Sequence, residues 1–250
     1  MIISSDDQLV RLQQVGKLVA QVLAAMQAHA QPGMTTAELD DFGGQLLHQA
    51  GADSAPRSCY DFPGHTCISI NEQAAHGVPG TRIMNEGDLI NIDVSAHLEG
   101  VFADTGGSFV LKPNPQQDQL KLRLCRAAMR ARDTGVAAIR AGQRLNKIGL
   151  LIERSIHSTG FRNVRTLCGH GIGTALHEEP LMRNFFDRRD TQTLQEGQVI
   201  TIEPFLSTNV GHIYPAQDGW TLVGRPSSLF AQFEHTLVVT RGEPLILTLP

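Results

Sequence analysis

A predicted β-hairpin in the first half of the chain carries two aspartates. The stretches 89–98 and 101–111 are rich in Ile, Val and Phe, and Glu99-Gly100 between them is typical of a two-residue turn. This turn sets a register in which Asp93 lies one diagonal step from Asp104 on the same face of the sheet. The two backbones are then roughly 7–8 Å apart, within reach of a shared pair of metal ions.

An isolated pair of strand aspartates is most simply explained as two solvated residues on the open face of a sheet. Two observations argue against that explanation here. Aspartate is disfavoured in strand interiors, and the register places Ser95 opposite Asp104, inside the paired region. Unpaired like charges on a half-buried face also repel each other. The hairpin therefore predicts a positive charge between Asp93 and Asp104.

Three further candidate ligands lie in the second half. Glu203 falls within a predicted strand, 199–206, and Glu234 is the second residue of another, 233–239, while His170 lies among glycines. Taken singly, each has an ordinary explanation, a salt-bridged glutamate or a loop histidine. Together with the two aspartates they form an oxygen-rich set with one nitrogen. Such a set suits harder divalent ions such as Mn²⁺, Fe²⁺ or Co²⁺ better than a structural thiolate zinc site.

These residues need a scaffold, and apolar periodicity predicts two pairs of helices, each followed by strands. In chain order the helices are predicted from Asp6 to Pro32-Gly33, from a Thr35–Glu38 capping box to about Gly51, from about Asp118 to Arg140, and from about Asn146 to Gly160.

Glycines mark the second helix of each pair at the same spacing. Gly33 and Gly51 are 18 residues apart, as are Gly142 and Gly160. The match predicts two related halves, about 1–112 and 113–250, joined without a linker. We therefore expect a single catalytic domain over residues 1–250, of the α+β class, with internal pseudo-symmetry.

Composition limits the functional classes. Hydrophobic residues make up 41% and charged residues 18%, and the net charge of −4 gives no reason to expect direct binding to nucleic acid or to a membrane. Four scattered cysteines without a CxxC pair argue against a disulfide framework and suit a reducing compartment. The first residues lack a basic segment followed by an apolar run, so we expect a cytoplasmic protein.

Nine short motifs follow one another along nearly the whole chain. They are Cys67-Ile68-Ser69-Ile70-Asn71-Glu72, His76-Gly77-Val78-Pro79, Asn91-Ile92-Asp93, Ala103-Asp104-Thr105, Gly169-His170-Gly171-Ile172-Gly173, His177-Glu178-Glu179-Pro180, Thr201-Ile202-Glu203-Pro204, Asp218-Gly219-Trp220-Thr221 and Gln232-Phe233-Glu234-His235-Thr236. In this order they resemble the type 1 methionine aminopeptidases, which have the pita-bread fold.

The resemblance implies a site for two divalent ions (Co²⁺, Fe²⁺, Mn²⁺, Zn²⁺ or Ni²⁺). The implied ligands are Asp93, Asp104, His170, Glu203 and Glu234, with Asp104 and Glu234 bridging the two ions. Glu203 would also shuttle a proton. The implied substrate-contacting residues are His76 and His177, which also take part in catalysis, and the walls of a methionine slot, Cys67, Phe62, Tyr60 and Trp220.

Two residues depart from the family pattern. Leu176 stands where an aromatic residue is common, which would loosen the slot. Phe230 occupies a position often held by serine near an auxiliary monovalent-cation site, so that site is not carried over. The segment 59–63 also departs from the usual wording by about a residue, which leaves the alignment of the slot open there.

The implied activity is removal of the initiator methionine from nascent polypeptides, favouring a small second residue, by a monomeric enzyme. Two alternatives remain: a relative that cleaves before proline, or a binding protein that keeps the fold without catalysis. Arg183, Arg188 and Arg189 could dock on a ribosome surface. Because Asp187 and Asp190 lie beside them, a solvated loop is the simpler interpretation.

Overall fold

The computed structural model describes residues 1–250 and contains five helices and fifteen strands, as the α+β prediction requires. The helices are α1 (Asp6–His29), α2 (Thr36–Gln49), α3 (Ala55–Tyr60), α4 (Gln119–Ala137) and α5 (Leu145–His157). Four of these were predicted, although α4 and α5 each end three residues before the predicted limit. The six-residue α3 was missed because it is too short to show helical periodicity. None of the helices combines the length and the apolar character that crossing a membrane requires.

The predicted capping box at the start of α2 is confirmed. The Thr35 hydroxyl accepts from the Glu38 backbone N–H at 3.2 Å, and the Glu38 carboxylate accepts from the Thr35 backbone N–H at 2.8 Å. Each bond satisfies a donor that has no partner inside the helix, which fixes where α2 begins.

The four glycines that mark the halves share one conformation. Gly33, Gly51, Gly142 and Gly160 all have φ between 74° and 91°, and open space surrounds the position of an added Cβ at each. Backbone conformation therefore explains these glycines, because side chains other than glycine disfavour positive φ. The same hydrogen bond also recurs in both halves. Gly33 donates to the Met84 carbonyl at 2.8 Å, and Gly142 donates to the Leu194 carbonyl at 2.8 Å.

The strands pair in an antiparallel manner, and all except the two ten-residue strands of the first-half hairpin are short. In chain order they are β1 (Asp53–Ser54), β2 (Cys67–Ile70), β3 (Gln73–Ala75), β4 (Leu89–Leu98), β5 (Val101–Val110), β6 (Arg162–Asn163), β7 (Gly169–Gly171), β8 (Glu178–Met182), β9 (Val199–Ile202), β10 (Phe205–Ser207), β11 (Tyr214–Pro215), β12 (Leu222–Val223), β13 (Phe230–Gln232), β14 (His235–Val238) and β15 (Leu245–Ile246).

Each half builds its own principal sheet and helix layer. In the first half, β4 pairs with β1, β2 and β5, and α1 packs on β4 and β5. In the second half, the strand order is β15-β14-β9-β7-β8, and α4 packs on α5 and on β9 and β10. Two three-stranded sheets, β13-β10-β6 and β11-β12-β3, complete the structure. Apolar side chains form two main cores, one built mostly of first-half residues and the other mostly of second-half residues.

The predicted register of the first-half hairpin is confirmed. In β4 and β5, Ser95 pairs with Asp104, and Asp93 pairs with Gly106. Glu99 and Gly100 both have positive φ, at 49° and 83°, as the favoured two-residue hairpin turn requires.

The prediction of unbroken strands around the two glutamates is wrong. Glu203 and Pro204 interrupt the strand predicted over 199–206, between β9 and β10. The strand predicted over 233–239 begins only at His235, because Phe233 and Glu234 lie in the gap between β13 and β14. Proline cannot donate to a ladder, which explains the first break. The second gap has a different cause. β13 pairs with β10 in one sheet, and β14 pairs with β9 in another, so the chain passes from the first sheet to the second at Phe233 and Glu234.

Candidate metal centre

Four acidic side chains and one imidazole are supplied by five different strands or strand ends. Asp93 and Asp104 come from the hairpin, His170 lies in β7, Glu203 follows β9, and Glu234 precedes β14. The ligand atoms of Asp104, His170 and Glu234 all lie within 4.8 Å of one another, and these three residues are buried. From His170 Nε2, a Glu203 carboxylate oxygen is 3.4 Å away and an Asp104 carboxylate oxygen is 4.0 Å away.

Hydrogen bonds across the boundary between the halves hold Asp104 beside Glu234. The Thr236 hydroxyl donates to the Asp104 carbonyl at 2.7 Å, and the Thr105 hydroxyl donates to the Glu234 carbonyl at 3.0 Å. The Glu234 N–H donates to the Gly106 carbonyl at 2.9 Å. The edge of β5 therefore faces the start of β14, so one acidic residue from each half enters the same space.

The second-half ligands are oriented by neighbouring side chains and carbonyls. The Thr201 hydroxyl donates to the Glu203 carboxylate at 3.1 Å and accepts from the His170 backbone N–H at 3.1 Å. The side-chain amide of Gln232 donates to the Glu234 carboxylate at 3.0 Å. The Asn91 amide in turn donates to the side-chain oxygen of Gln232, Oε1, at 2.8 Å. Such partners orient metal-binding groups and increase the affinity of a site for its ion.

His170 is held in the form that binds a metal. Its Nδ1–H donates to the Gly171 carbonyl at 2.9 Å, which leaves the lone pair on Nε2 directed toward the carboxylates. Burial lowers the pKa of His170 to about 3, so the imidazole is neutral at ordinary pH. Nε2 and the carboxylate oxygens at 3.4 and 4.0 Å all offer lone pairs, so a cation between them would be bound from both sides.

The carboxylates also require a cation. Burial raises the pKa of Asp104, Glu203 and Glu234 well above the ordinary range, and each of the three feels the charge of other carboxylates nearby. One oxygen of Asp104 and one of Glu234 are buried without any hydrogen-bond partner. Buried polar atoms almost always have partners, so these two oxygens point to ligands other than protein. The donor set fits divalent ions that accept oxygen and imidazole ligands.

The cluster opens into a cavity of about 600 Å³. Ten of the eleven residues singled out from the sequence line it. Those ten are Tyr60, Phe62, Cys67, His76, Asp93, Asp104, His170, His177, Glu203 and Trp220. Glu234 is the exception: it is 1% exposed and lies behind the cavity wall, from which its carboxylate meets Asp104 and His170.

The two additional histidines stand at the mouth of the cavity, and both are exposed. His76 has a positive φ of 52°, in a loop tied to the Trp220 segment by a 3.1 Å bond from the Val78 N–H to the Thr221 hydroxyl. The His177 ring lies beside the His170 ring, tilted by 54°, with ring centroids 4.3 Å apart. Partial desolvation lowers the pKa of both His76 and His177, which favours their neutral forms.

An apolar wall closes one side of the cavity. Phe62, 4% exposed, meets Trp220 edge-on with ring centroids 5.4 Å apart, and Leu176, also 4% exposed, adds a third apolar side chain. Cys67 lies opposite Asp93 in the register, and burial raises the pKa of its thiol well above the ordinary range. The wall is therefore neutral, as an apolar side chain of a substrate requires.

His235, Phe230 and Arg183 do not line this cavity. His235 is the neighbour of Glu234, but its ring bonds the Thr248 hydroxyl at 2.8 Å. Phe230 is buried in a small apolar cluster that includes Phe205. In the 183–190 loop, Arg183 pairs with Asp190 at 3.1 Å, so charge within the loop is partly neutralised.

Sequence analysis missed a repeat that relates two of the acidic ligands. Residues 84–93, Met-Asn-Glu-Gly-Asp-Leu-Ile-Asn-Ile-Asp, match residues 194–203, Leu-Gln-Glu-Gly-Gln-Val-Ile-Thr-Ile-Glu. Asp93 and Glu203 are the last residues of the two segments. The glycines at the matching positions, Gly87 and Gly197, have nearly equal φ values of 80° and 78°. The shared Glu-Gly and Ile-x-Ile pattern was the signal that could have identified Glu203 as the counterpart of Asp93.

Comparison with known proteins places the chain among metallopeptidases. Residues 10–241 match the model of metallopeptidase family M24. Methionine aminopeptidase 2 of Bacillus subtilis is 44% identical over 99% of each chain. The crystal structure of methionine aminopeptidase from Rickettsia prowazekii superposes with a TM-score of 0.93 at 32% identity over the whole of both chains. A prolidase from Pyrococcus furiosus shares the fold, with a TM-score of 0.79 at 21% identity, and this chain covers 66% of it.

Proposed function

Because the chain belongs to metallopeptidase family M24, we propose that it is a methionine aminopeptidase with the pita-bread fold, which removes the amino-terminal methionine from polypeptides. The observation that carries the proposal is the buried cluster of Asp104, His170 and Glu234, with its two unpartnered carboxylate oxygens, at the end of an apolar cavity. That arrangement joins a cation site to a slot for an apolar side chain.

Two divalent ions would be held by Asp93, Asp104, His170, Glu203 and Glu234, with Asp104 and Glu234 shared between them. Divalent ions bound by such ligands lower the pKa of water and polarise a carbonyl group. Asp104 and Glu234 suit the shared positions because each is buried and each has a carboxylate oxygen free of protein partners. Co²⁺, Fe²⁺, Mn²⁺, Zn²⁺ and Ni²⁺ are all compatible with this donor set.

Glu203 would transfer a proton to the nitrogen of the departing polypeptide. Burial and the charges of Asp104 and Asp93 raise the pKa of Glu203 well above the ordinary range in the metal-free protein, so this carboxylate accepts a proton readily, as a group that passes a proton on must do. The Thr201 hydroxyl fixes one carboxylate oxygen of Glu203 and leaves the other free to reach substrate.

His76 and His177 would bind the backbone of the substrate on either side of the cleaved bond. Both imidazoles line the cavity and are neutral, so each has one N–H to donate. His177 would donate to the oxygen of the scissile carbonyl as negative charge develops there. His76 would contact the nitrogen side of the same bond.

The methionine side chain would lie against Phe62, Trp220 and Cys67, with Tyr60 at the mouth. These residues are apolar or neutral, and they lie beside the ligands that would meet the free amino group. Leu176 supplies a flexible aliphatic surface in the same wall, which suits the unbranched methionine side chain.

We also propose that the substrate is the initiator methionine of nascent chains, with a preference for a small second residue. The enzyme would act in the cytoplasm as a monomer. The ordinary composition and the four free cysteines support an intracellular, reducing environment. Asp190 pairs with Arg183 and Asp187 pairs with Arg189, which argues against docking of the 183–190 loop on a ribosome.

Peptide hydrolysis tests the proposal directly. Purified protein is stripped with a chelator, titrated with each of the five divalent ions, and assayed with Met-Ala-Ser and Ala-Pro-Ala. We expect release of methionine from the first peptide with at least one ion and loss of activity on renewed chelation. Selective cleavage of Ala-Pro-Ala would favour the proline-specific alternative. A protein inert with every ion would favour the binding-protein alternative.

A further inference from the structure

Tyr60 and His177 form a hydrogen bond that joins the two halves at the mouth of the cavity. The Tyr60 hydroxyl oxygen lies 2.7 Å from His177 Nδ1, and the ring centroids are 5.6 Å apart. His177 is one of the residues that would contact substrate. An effect of Tyr60 on the orientation or the tautomer of its imidazole would therefore affect the reaction.

Tyr60 differs from the other aromatic residues of the cavity. It is 44% exposed, whereas Phe62, two residues later, is 4% exposed and packs against Trp220. The residue between them, Asp61, has a left-handed conformation with φ 55°. This reversal at the end of α3 sends the two aromatic side chains to different places, so only Phe62 belongs to the closed apolar wall.

The turn that carries Tyr60 is well anchored. The Asp61 N–H donates to the Arg57 carbonyl at 3.2 Å, and the Phe62 N–H donates to the Pro56 carbonyl at 3.2 Å. The backbone at Tyr60 therefore loses little freedom when the side chain binds the histidine. Tyr60 is thus suited to hold a ring in one orientation.

The backbone of His177 is fixed from the other side. The carboxylate of Glu178 accepts from the Thr174 N–H at 2.6 Å, from the Thr174 hydroxyl at 2.7 Å and from the Ala175 N–H at 2.8 Å. These bonds close the loop 174–178 but do not touch the imidazole. In this structure, the only protein group bonded to the His177 ring nitrogens is the Tyr60 hydroxyl.

Proton placement decides what the ring can do. A neutral imidazole carries one N–H, and the nitrogen without it is an acceptor. Because Nδ1 faces Tyr60, Nε2 is the nitrogen left for substrate. If Nδ1–H donated to the tyrosine oxygen, Nε2 would present a lone pair and would repel a developing oxyanion. If the phenol donates to Nδ1, Nε2 carries the proton and can donate to that oxyanion.

We propose that Tyr60 is a positioning residue that donates its phenol proton to His177 Nδ1 and so fixes His177 as the Nε2–H tautomer that can donate to the scissile carbonyl oxygen. The inference rests on the proposed aminopeptidase function for its consequence, but the tautomer itself is independent of turnover. Its logic is that of the aspartate in a serine-protease triad, which fixes the tautomer of its histidine.

The sequence provides a matched control. The protein has two tyrosines, and Tyr214 is 61% exposed in β11 and does not line the cavity. Tyr60→Phe removes one hydroxyl from the His177 contact, whereas Tyr214→Phe removes one hydroxyl from the surface. Amide spectra of both variants establish that the fold is kept.

Nitrogen-15 spectra of histidine-labelled, metal-free protein measure the tautomer, with the His177 signals assigned by their loss in His177→Gln. We expect the Nε2–H tautomer in wild type and in Tyr214→Phe, and loss of that single tautomer in Tyr60→Phe. A wild-type His177 with its proton on Nδ1 would overturn the proposal, as would unchanged His177 signals in Tyr60→Phe.

Kinetics with Met-Ala-Ser then measure the consequence. We expect Tyr60→Phe to lower kcat by about 10- to 100-fold, the range for residues that orient a functional group, with a smaller change in KM. If Tyr60→Phe disturbs α3, 3-fluorotyrosine in the Tyr214→Phe background labels Tyr60 alone and keeps the hydroxyl. Retained kcat and retained Nε2–H tautomer in that protein are the expected results. A wild type without methionine release but with the Nε2–H tautomer would refute the proposed function and leave this tautomer assignment standing.

Discussion

The two halves of the molecule hold their metal-binding residues in different ways. In the first half, Asp93 and Asp104 lie within continuous strands, and no side chain outside that pair donates a hydrogen bond to either carboxylate. In the second half, Glu203 and Glu234 lie at breaks between strands, and Thr201 and Gln232 donate to them. Regular strand geometry is enough to aim the first pair, whereas irregular backbone needs side-chain bonds to aim the second.

The difference has a physical basis in strand pairing. A side chain in a regular ladder has its direction set by the alternation of the strand. Where a strand breaks, alternation no longer sets the direction, and the backbone can place a carboxylate outside the sheet. Both kinds of position are needed here, because the cluster must draw ligands from two sheets that face one another.

The largest expected effect comes from removing a shared carboxylate in either half. Asp104→Asn and Glu234→Gln should each lower metal-dependent release of methionine by more than about 100-fold, a loss larger than for residues that only orient ligands. Steady-state kinetics at saturating metal measure it, with Asp41→Asn on the surface of α2 as the control. A large loss in one half and none in the other would show that the two halves do not share the ions.

The second test concerns the side-chain bonds of the second half. Thr201→Val keeps the shape of the residue but removes the donor to Glu203 and the acceptor for the His170 N–H. We expect metal affinity to fall by about 10- to 100-fold. Calorimetric titration of stripped protein measures the affinity, and Thr134→Val on α4 should leave it unchanged. Equal affinities in both variants would mean that backbone alone positions Glu203.

The third test uses pH in the absence of metal. Burial and neighbouring carboxylates raise the pKa of Glu234 in the folded protein. A raised carboxyl pKa means that the folded state binds the proton more tightly than the unfolded state does. The stability that this proton contributes is therefore lost as pH rises above the unfolded pKa of about 4.3.

Glu234→Gln cannot titrate and escapes this loss. In chelator, its melting temperature should therefore gain on that of wild type as pH rises from about 4.3 toward neutrality. Thermal unfolding across this range measures the difference, and adding a divalent ion should reverse it in favour of wild type. A difference that does not vary with pH would show that the pKa of Glu234 is not raised in the folded protein.

The smallest expected effect tests the equivalence of the halves. Gly51 and Gly160 both have positive φ and open space around the added Cβ, so Gly51→Ala and Gly160→Ala differ from wild type only in backbone preference. Each should lower the free energy of unfolding by about 1 kcal/mol. Denaturant unfolding measures it, and Gly242→Ala, which also has open space but no positive φ, is the control. A clear difference between the two losses in free energy of unfolding would show that the two helix ends are not equivalent.

The sequence by itself determined the features that depend on neighbouring residues, namely the register of the first-half hairpin and most helix ends. The Glu99-Gly100 turn set the register that brings Asp93 toward Asp104, and the capping residues and glycines set most helix ends. These features depend on φ preferences and hydrogen bonds between residues close in the chain. The family resemblance also named the residues that line the cavity, although their roles stay a prediction.

Only the tertiary structure decided how the halves meet. The breaks at Glu203 and Glu234, the position of Glu234 behind the cavity wall and the Tyr60–His177 bond all involve residues more than a hundred positions apart or strands that change partners. Periodicity reports which face of an element is buried, but it does not report which sheet lies opposite. That choice follows from packing two cores against each other, and it brings buried charges together where a cation can stabilise them.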